Sequence, residues 1–383
     1  MAPSRTDMKK ILITFLAYMS AAVSMYAADT VSYKIRRIEN WAFYGTQNPT
    51  VLITASNPKG IYMPLNMKCE ILDAYGKSLY ELTQGGAIPP KDTLGISYTF
   101  KTALPGVYNA LFWREGEIAA SVNIAYEPEK IVLEQVQSED IPQFSRDFTK
   151  LANIVALERR GHNPQFSVVR NKKLSGKEKN VYDFKMVSKD NKVIKGLVAF
   201  PKGKKVVPVM LTLVPVENMN ENPLADFTAP AEMAEMVLYL SGRGNGEEYF
   251  KNILTDIILS VDFIAQRPEI NPARIYTQGE GFGGACSFVS SALDERIAVS
   301  FAASPDFRQF TENFSVESLA KKVKVPVLFG IGLQDKTSRI QDAFAIYNKV
   351  KQEKEYFIFP ALPSVERKQW KYIRDTFIIR TTE

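Results

Sequence analysis

The chain contains a single histidine, His162, in 383 residues. A Ser-His-Asp relay needs a base of near-neutral pKa, which imidazole supplies without perturbation. Any histidine-based mechanism must therefore run through His162 or be abandoned. That residue lies in the turn-rich segment Arg159-Arg160-Gly161-His162-Asn163-Pro164 and is read as a loop residue. The same scarcity excludes a zinc site built on several imidazoles. Cysteine is nearly as rare: Cys69 and Cys286 are the two present, with no CxxC or Cys/His metal spacing. No metal or cofactor is expected. Cys69 lies in Leu65-Asn66-Met67-Lys68-Cys69-Glu70-Ile71, where alternate residues are apolar, and is expected inward on a strand as a small core residue. Cys286 falls in a different candidate domain, and a disulfide between the two is the lesser reading.

A dense cationic stripe is also missing. The net charge of +6 comes from 48 Lys and Arg against 42 Asp and Glu, with part of the excess in Lys172–Lys179 and Lys202–Lys205. A nucleic-acid binder would interleave aromatics with a denser stripe, so these lysines are read as a solvated rim and no nucleic-acid partner is expected. Apolar residues at 45% and charged residues at 23% are ordinary for a globular chain.

No charge interrupts Ile11 to Ala28. Arg5, Lys9 and Lys10 precede that stretch, and small residues close it at Tyr26-Ala27-Ala28-Asp29. Residues 1–28 read as a signal peptide cleaved near Ala27 or Ala28, with Met8 as an alternative start. An uncleaved anchor is the rival, and the stretch, slightly short of the about 20 residues that span a bilayer, makes it the lesser reading. No cysteine stands near the cleavage region to carry a lipid. The mature chain is expected to be periplasmic or secreted, with no membrane span after cleavage.

Residues 29–127 read as all-β. Apolar-alternating runs recur at 32–38, 51–55, 65–72, 94–100, 107–113 and 118–126, with hairpin turns at Ala74-Tyr75-Gly76-Lys77 and Arg114-Glu115-Gly116-Glu117. That spacing predicts an immunoglobulin-like sandwich. Tyr108, Phe112 and Trp113 are read as core and sheet surface in preference to a sugar platform. Glu127-Pro128-Glu129-Lys130 marks a boundary, and 128–180 reads as a helical linker with a helix over 141–156. From Val181 to the end, strands alternate with helices, the best helix being 251–266 with Leu254, Ile257, Ile258, Val261 and Ile264 inward. Such alternation predicts a doubly wound, mainly parallel sheet of α/β class, with antiparallel strands added by the opening hairpin at 182–200.

Within 181–383 a family pattern emerges. Phe263-Ile264-Ala265-Gln266-Arg267-Pro268-Glu269-Ile270-Asn271-Pro272-Ala273-Arg274-Ile275 resembles the helix, turn and strand that lead into the nucleophile elbow of acetyl xylan esterases and cephalosporin-C deacetylases. Ser241-Gly242-Arg243-Gly244-Asn245-Gly246 resembles their Asp-x-Arg-Gly-x-Gly turn. Pro326 to Asp335 resembles the strand ending at the triad aspartate, and Tyr356 to Pro360 the strand before the catalytic histidine. The resemblance implies an α/β-hydrolase fold and, by family, carboxylic ester hydrolysis.

The residues that would carry that chemistry are replaced. An elbow Gly-x-Ser-x-Gly lifts a serine on a sharp strand-to-helix turn. Here the turn reads Gly279-Glu280-Gly281-Phe282-Gly283-Gly284, with Gly281 at the nucleophile position. The register places Ser364 at the histidine position, and Pro215-Val216-Glu217-Asn218 where the family carries a His-Gly-rich oxyanion turn. Only Asp335 survives, and an aspartate alone activates nothing. Glycine at the strained elbow position is also favourable for the fold once catalysis is not required.

A relocated site is the rival, with Glu280 and Glu217 as an acid/base pair or Thr277, Cys286 and Ser287 beside the elbow. Gly279-x-Gly281-x-x-Gly284 with Asp306 has the formal elements of a dinucleotide fingerprint, but the unit sits late in the chain and the aspartate in a loop. The leading expectation is therefore a secreted pseudoesterase that binds a polysaccharide or protein partner through the old cleft near Glu280, Phe282, Arg243 and Glu217. The alternative is an active carbohydrate O-acetyl esterase with a non-standard nucleophile.

Overall fold

The computed structural model describes residues 31–35, 42–102, 104–133, 148–220, 223–244 and 246–382. The expected signal peptide and the first half of the expected linker helix lie outside them. Among the described residues no helix is long and apolar enough to cross a membrane. The chain divides into two units between Glu127 and Pro128.

In the first unit the strands are β1 (Ser32–Ile35), β2 (Ala42–Phe43), β3 (Thr50–Ser56), β4 (Met63–Leu72), β5 (Ser78–Ile88), β6 (Thr93–Thr99), β7 (Gly106–Arg114) and β8 (Glu117–Tyr126). They form one sheet of order β1-β3-β6 and a second of order β2-β8-β7-β4-β5. Alternation selects the inner faces. Val51, Ile53 and Ala55 on β3, and Met67, Cys69 and Ile71 on β4, are wholly buried. Both cysteines are free, and burial pushes the Cys69 thiol up to about 12. The inner faces meet where the Tyr98 hydroxyl on β6 donates to the Met67 carbonyl at 3.1 Å and its ring packs on Phe112 at 5.4 Å. Tyr108 is buried, and its hydroxyl reaches back to the Leu104 carbonyl at 2.6 Å, which makes it a core residue. At the β7–β8 turn Glu115 and Gly116 both take positive φ, as a two-residue hairpin of type I′ requires. Strand β5 has no counterpart in the alternation. It is a sheet edge exposed along nearly all its length, so neither face selects apolar residues.

The second unit carries α1 (Phe148–Arg160), β9 (Phe166–Arg170), β10 (Lys179–Val187), β11 (Val193–Pro201), β12 (Val207–Pro215), β13 (Ala234–Leu240), α2 (Glu247–Ala265), β14 (Ile270–Glu280), α3 (Phe282–Ser291), β15 (Ile297–Ala303), α4 (Arg308–Asn313), α5 (Val316–Ala320), β16 (Val327–Gly332), α6 (Ile340–Lys349), β17 (Lys354–Phe359) and α7 (Arg367–Thr382). One nine-stranded sheet runs β17-β16-β15-β14-β12-β13-β11-β10-β9. From β13 to β17 neighbouring strands are parallel, and β9 to β11 are antiparallel. This is the α/β-hydrolase arrangement. Strands β13 and β16 are buried along their whole length, so β16, and β13 from Met236 onward, read as continuous apolar runs. On α2 the residues Leu254, Ile257, Ile258, Val261 and Ile264 are all buried, which fixes that helix against the sheet. Strand β9 corrects the reading of 128–180 as helical linker, since it pairs with β10 at the sheet edge. Five residues, mostly exposed, are too short a run to announce a strand.

Strand order reverses around β12, which lies between β13 and β14. The crevice beyond the carboxyl ends of the strands at such a switch point is where open α/β sheets bind ligands.

Candidate active site

Strand β14 ends at Glu280 and α3 begins at Phe282, so Gly281 alone makes the turn, at φ 57° and ψ −126°. The turn is pinned: the Gly281 N–H donates to Ala303 O at 3.0 Å, and its carbonyl accepts from Ala285 N at 3.1 Å and Asp306 N at 3.0 Å. The flanking glycines are sterically obligatory. A Cβ at Gly279 would lie 2.3 Å from the Gly283 backbone, and one at Gly283 would lie 2.2 Å from Leu213 O. At Gly281 itself a Cβ would meet nothing within 4 Å. The turn is closely packed on both sides of Gly281 and leaves open space where a side chain at that position would stand. Gly281→Ala should therefore destabilise the protein by about 1–3 kcal/mol through backbone strain alone. Urea unfolding checks this, and a neutral effect would mean that the turn relaxes.

The other two positions follow the same strand ends. Ser364 lies in the loop between β17 and α7, and its hydroxyl donates to the Glu280 carboxylate beside the elbow. Asp335 follows β16 but faces its own turn. One carboxylate oxygen accepts from the Thr337 N–H and hydroxyl, both at 2.7 Å, and the other from the Ser338 hydroxyl at 2.5 Å. At the end of β12, Pro215 has no N–H to offer an oxyanion. Glu217 sits exposed in the single helical turn after it, Val216–Asn218.

These strand ends surround a cavity of about 1040 Å³. Glu280, Gly281, Asp335, Ser364 and Pro215 line it. Phe282, Arg243 and Glu217, expected in the cleft, are not among the lining residues. Phe282 instead stacks on Phe310 of α4 at 5.7 Å. Arg243 is a strut: it donates to Asp190 in the β10–β11 turn and to Asp256 on α2, each at 2.8 Å. Burial pushes Asp256 up to about 6 against the opposing pull of Arg243.

The rival nucleophiles do not reach the cavity. Thr277 and Ser287 are wholly buried and bonded to each other at 2.9 Å. Cys286 is wholly buried too, and burial raises its thiol pKa. Asp306, the acid of the dinucleotide pattern, is held by Arg308 at 2.9 Å. His162 bonds through Nε2 to Val187 O at 3.1 Å, at the antiparallel end of the sheet, as its loop position implied. Among the described residues no cluster of three or more His, Cys, Asp or Glu is placed to hold a metal.

A buried polar network forms the cavity floor, and the sequence reading passes over it. Glu235 on β13 is wholly buried and accepts from the Thr212 hydroxyl at 2.7 Å and from the N–H groups of Thr228 and Ala229 at 3.0 and 2.9 Å. Burial raises its pKa and these donors oppose the rise. Gln278 donates to Thr212 and Thr228 at 2.8 and 2.7 Å and accepts from Arg374 at 2.7 Å. Arg374, 1% exposed, completes the chain to Thr228 and Asp375. Each polar group finds partners, which is what allows it to be buried.

A family model of acetyl xylan esterase (AXE1) matches residues 240–317 and 309–376. Gly281, Asp335 and Ser364 all fall inside those segments. The acetyl xylan esterase from Paenibacillus sp. R4 is similar in structure, with a TM-score of 0.56 at 18% identity, over 66% of this chain and 98% of that one. Acetyl xylan esterase 1 from Thermoanaerobacterium sp. JW/SL YS485 gives 0.52 at 18% identity, over 62% and 94%. At that identity the likeness shows the α/β-hydrolase fold.

Proposed function

We infer that this chain, whose residues 240–317 and 309–376 match the acetyl xylan esterase family model, is a non-hydrolytic relative of that family whose cleft binds a glycan. The observation that carries the reading is the sharp strand-to-helix turn pinned at positive φ on Gly281, which has no side chain to attack with. Asp335 supports it, being satisfied within its own turn, and no imidazole stands at Ser364. An open cavity of about 1040 Å³ over the elbow is more than a collapsed relic requires. Fluorophosphonate probes, which label activated serines, should leave the protein unmarked. Labelling at any serine would refute the reading.

One contact favours the alternative, an active carbohydrate O-acetyl esterase. Ser364 donates to Glu280 at the cavity edge, and a carboxylate is a competent base when desolvated. Glu280 is exposed, however, which leaves that base solvated. We further read the chain as exported, from the basic start and uncharged run before Ala28. What supports an immunoglobulin-like identity for the first unit is its strand order together with the Tyr108–Leu104 bond, the pattern of a tyrosine corner.

A further inference from the structure

The cavity has an unbalanced charge distribution that the loss of a triad does not explain. Lys336, Arg367, Lys368 and Lys371 all line it, and all are exposed. Among the described residues none of these side chains forms an ion pair. Three of them crowd the start of α7, whose first turn holds no acid. Cations there oppose the helix dipole, and Arg367 and Lys371 are like charges one turn apart. The Glu366 carboxylate attracts Lys368 but forms no direct ion pair with these cations. It caps the helix, accepting from the N–H groups of Lys368 and Gln369 at 3.2 and 2.6 Å. Arg367 and Lys371 share a face with Arg374, so the cationic row runs from the mouth to the floor. At the floor Arg374 has its donors committed to Asp375, Gln278 and Thr228.

The lining holds three carboxylates against five cations, Arg374 included, and each carboxylate is hydrogen-bonded. Asp226 is buried and bonded to Tyr239 at 3.3 Å and to Asn220. Glu280 accepts from Ser364, and Asp335 faces its own turn. A concave site with such an excess of cations focuses positive potential inward. Pro215, Phe227, Pro363 and Val365 give its walls apolar surface against which pyranose faces can lie. The volume exceeds what a lone small anion needs.

We propose that the cleft binds a carboxylate-bearing oligosaccharide, its uronate groups held at the mouth by Arg367, Lys368, Lys371 and Lys336. The proposal rests on the glycan-binding reading above. No bond is made or broken.

Calorimetric titration of the full chain with hexagalacturonate, xylohexaose and hexaglutamate tests it, alongside the variant R367Q/K368Q/K371Q. Hexagalacturonate should bind at least about tenfold more tightly than xylohexaose, and the variant should lose at least about tenfold, because charge-assisted contacts are removed. Binding should weaken at about 0.5 M NaCl, where screening shortens the reach of these charges. The variant should melt no lower than wild type, since it relieves repulsion at the start of α7, so its loss would not reflect misfolding. Lys336→Gln, on a different loop, should also weaken hexagalacturonate. Equal binding of the two sugars, unchanged in the variant, would overturn the charge proposal and leave the glycan reading standing. Binding of hexaglutamate alone would overturn both in favour of an acidic protein partner. Binding of none of the three would overturn both.

Discussion

Gly281→Ser combined with Ser364→His should raise acetyl-ester turnover above the wild-type background, and Gly281→Ser alone should not. The elbow already holds the backbone that presents a nucleophile, and a Cβ there meets nothing within 4 Å. A lone serine still has no base to take its proton. Ser364 touches Glu280, next to the elbow, so an imidazole at that position would stand beside the new hydroxyl. Asp335 would have to leave its contacts with Thr337 and Ser338 to orient that ring. The double variant should remain far below a working esterase. Pro215 supplies no N–H to an oxyanion, and one missing donor costs about 3 kcal/mol of transition-state stabilisation. Hydrolysis of 4-nitrophenyl acetate reads both variants. Equal turnover by the single and double variants would show that position 364 is not the base position.

Gly283→Ala should unfold the second unit or lower its stability by more than about 3 kcal/mol, at the upper end of what overpacking costs. The added methyl would fall 2.2 Å from Leu213 O, and 3.3 Å from the Pro215 ring. Leu213 belongs to a central strand whose carbonyl cannot retreat without breaking its pairing with β13 and β14. Gly281→Ala, two residues away, meets no atom and should cost only its backbone strain. Thermal unfolding of the two variants side by side separates close packing from conformational strain. A Gly283→Ala protein that melts within a few degrees of wild type would mean that α3 does not sit against β12 as described.

Much of the fold is legible in the sequence because burial imposes a period. The helix of Leu254 to Ile264 and the strands from 182 onward lie where their apolar residues put them. The elbow is legible for a different reason, since its glycines are forced by close backbone approach. What escapes is what burial does not mark. Strands β5 and β9 are exposed edges without a buried face. Glu235 escapes in the opposite way. A carboxylate argues against a buried strand, so the run reads as beginning after it at Met236, yet hydrogen-bond donors hold Glu235 inside β13. The candidate cleft shows the same division. Chain order brings Gly281, Asp335 and Ser364 to the ends of β14, β16 and β17, around one cavity. Arg243, however, turns away to Asp190 and Asp256, partners that come from two other elements. The cations of α7 look in sequence like any solvated helix face, and only the fold lines a cavity with them.

Steady-state hydrolysis of acetylated xylan by the purified wild-type chain, measured beside Asp335→Ala and Glu280→Gln, tests the central claim most directly. All three proteins should release acetate no faster than buffer, because removing nucleophile and base together forfeits a factor on the order of a million in turnover. Turnover of several per second by the wild type, abolished in Glu280→Gln, would contradict the account and move the chemistry to Ser364 and its carboxylate partner.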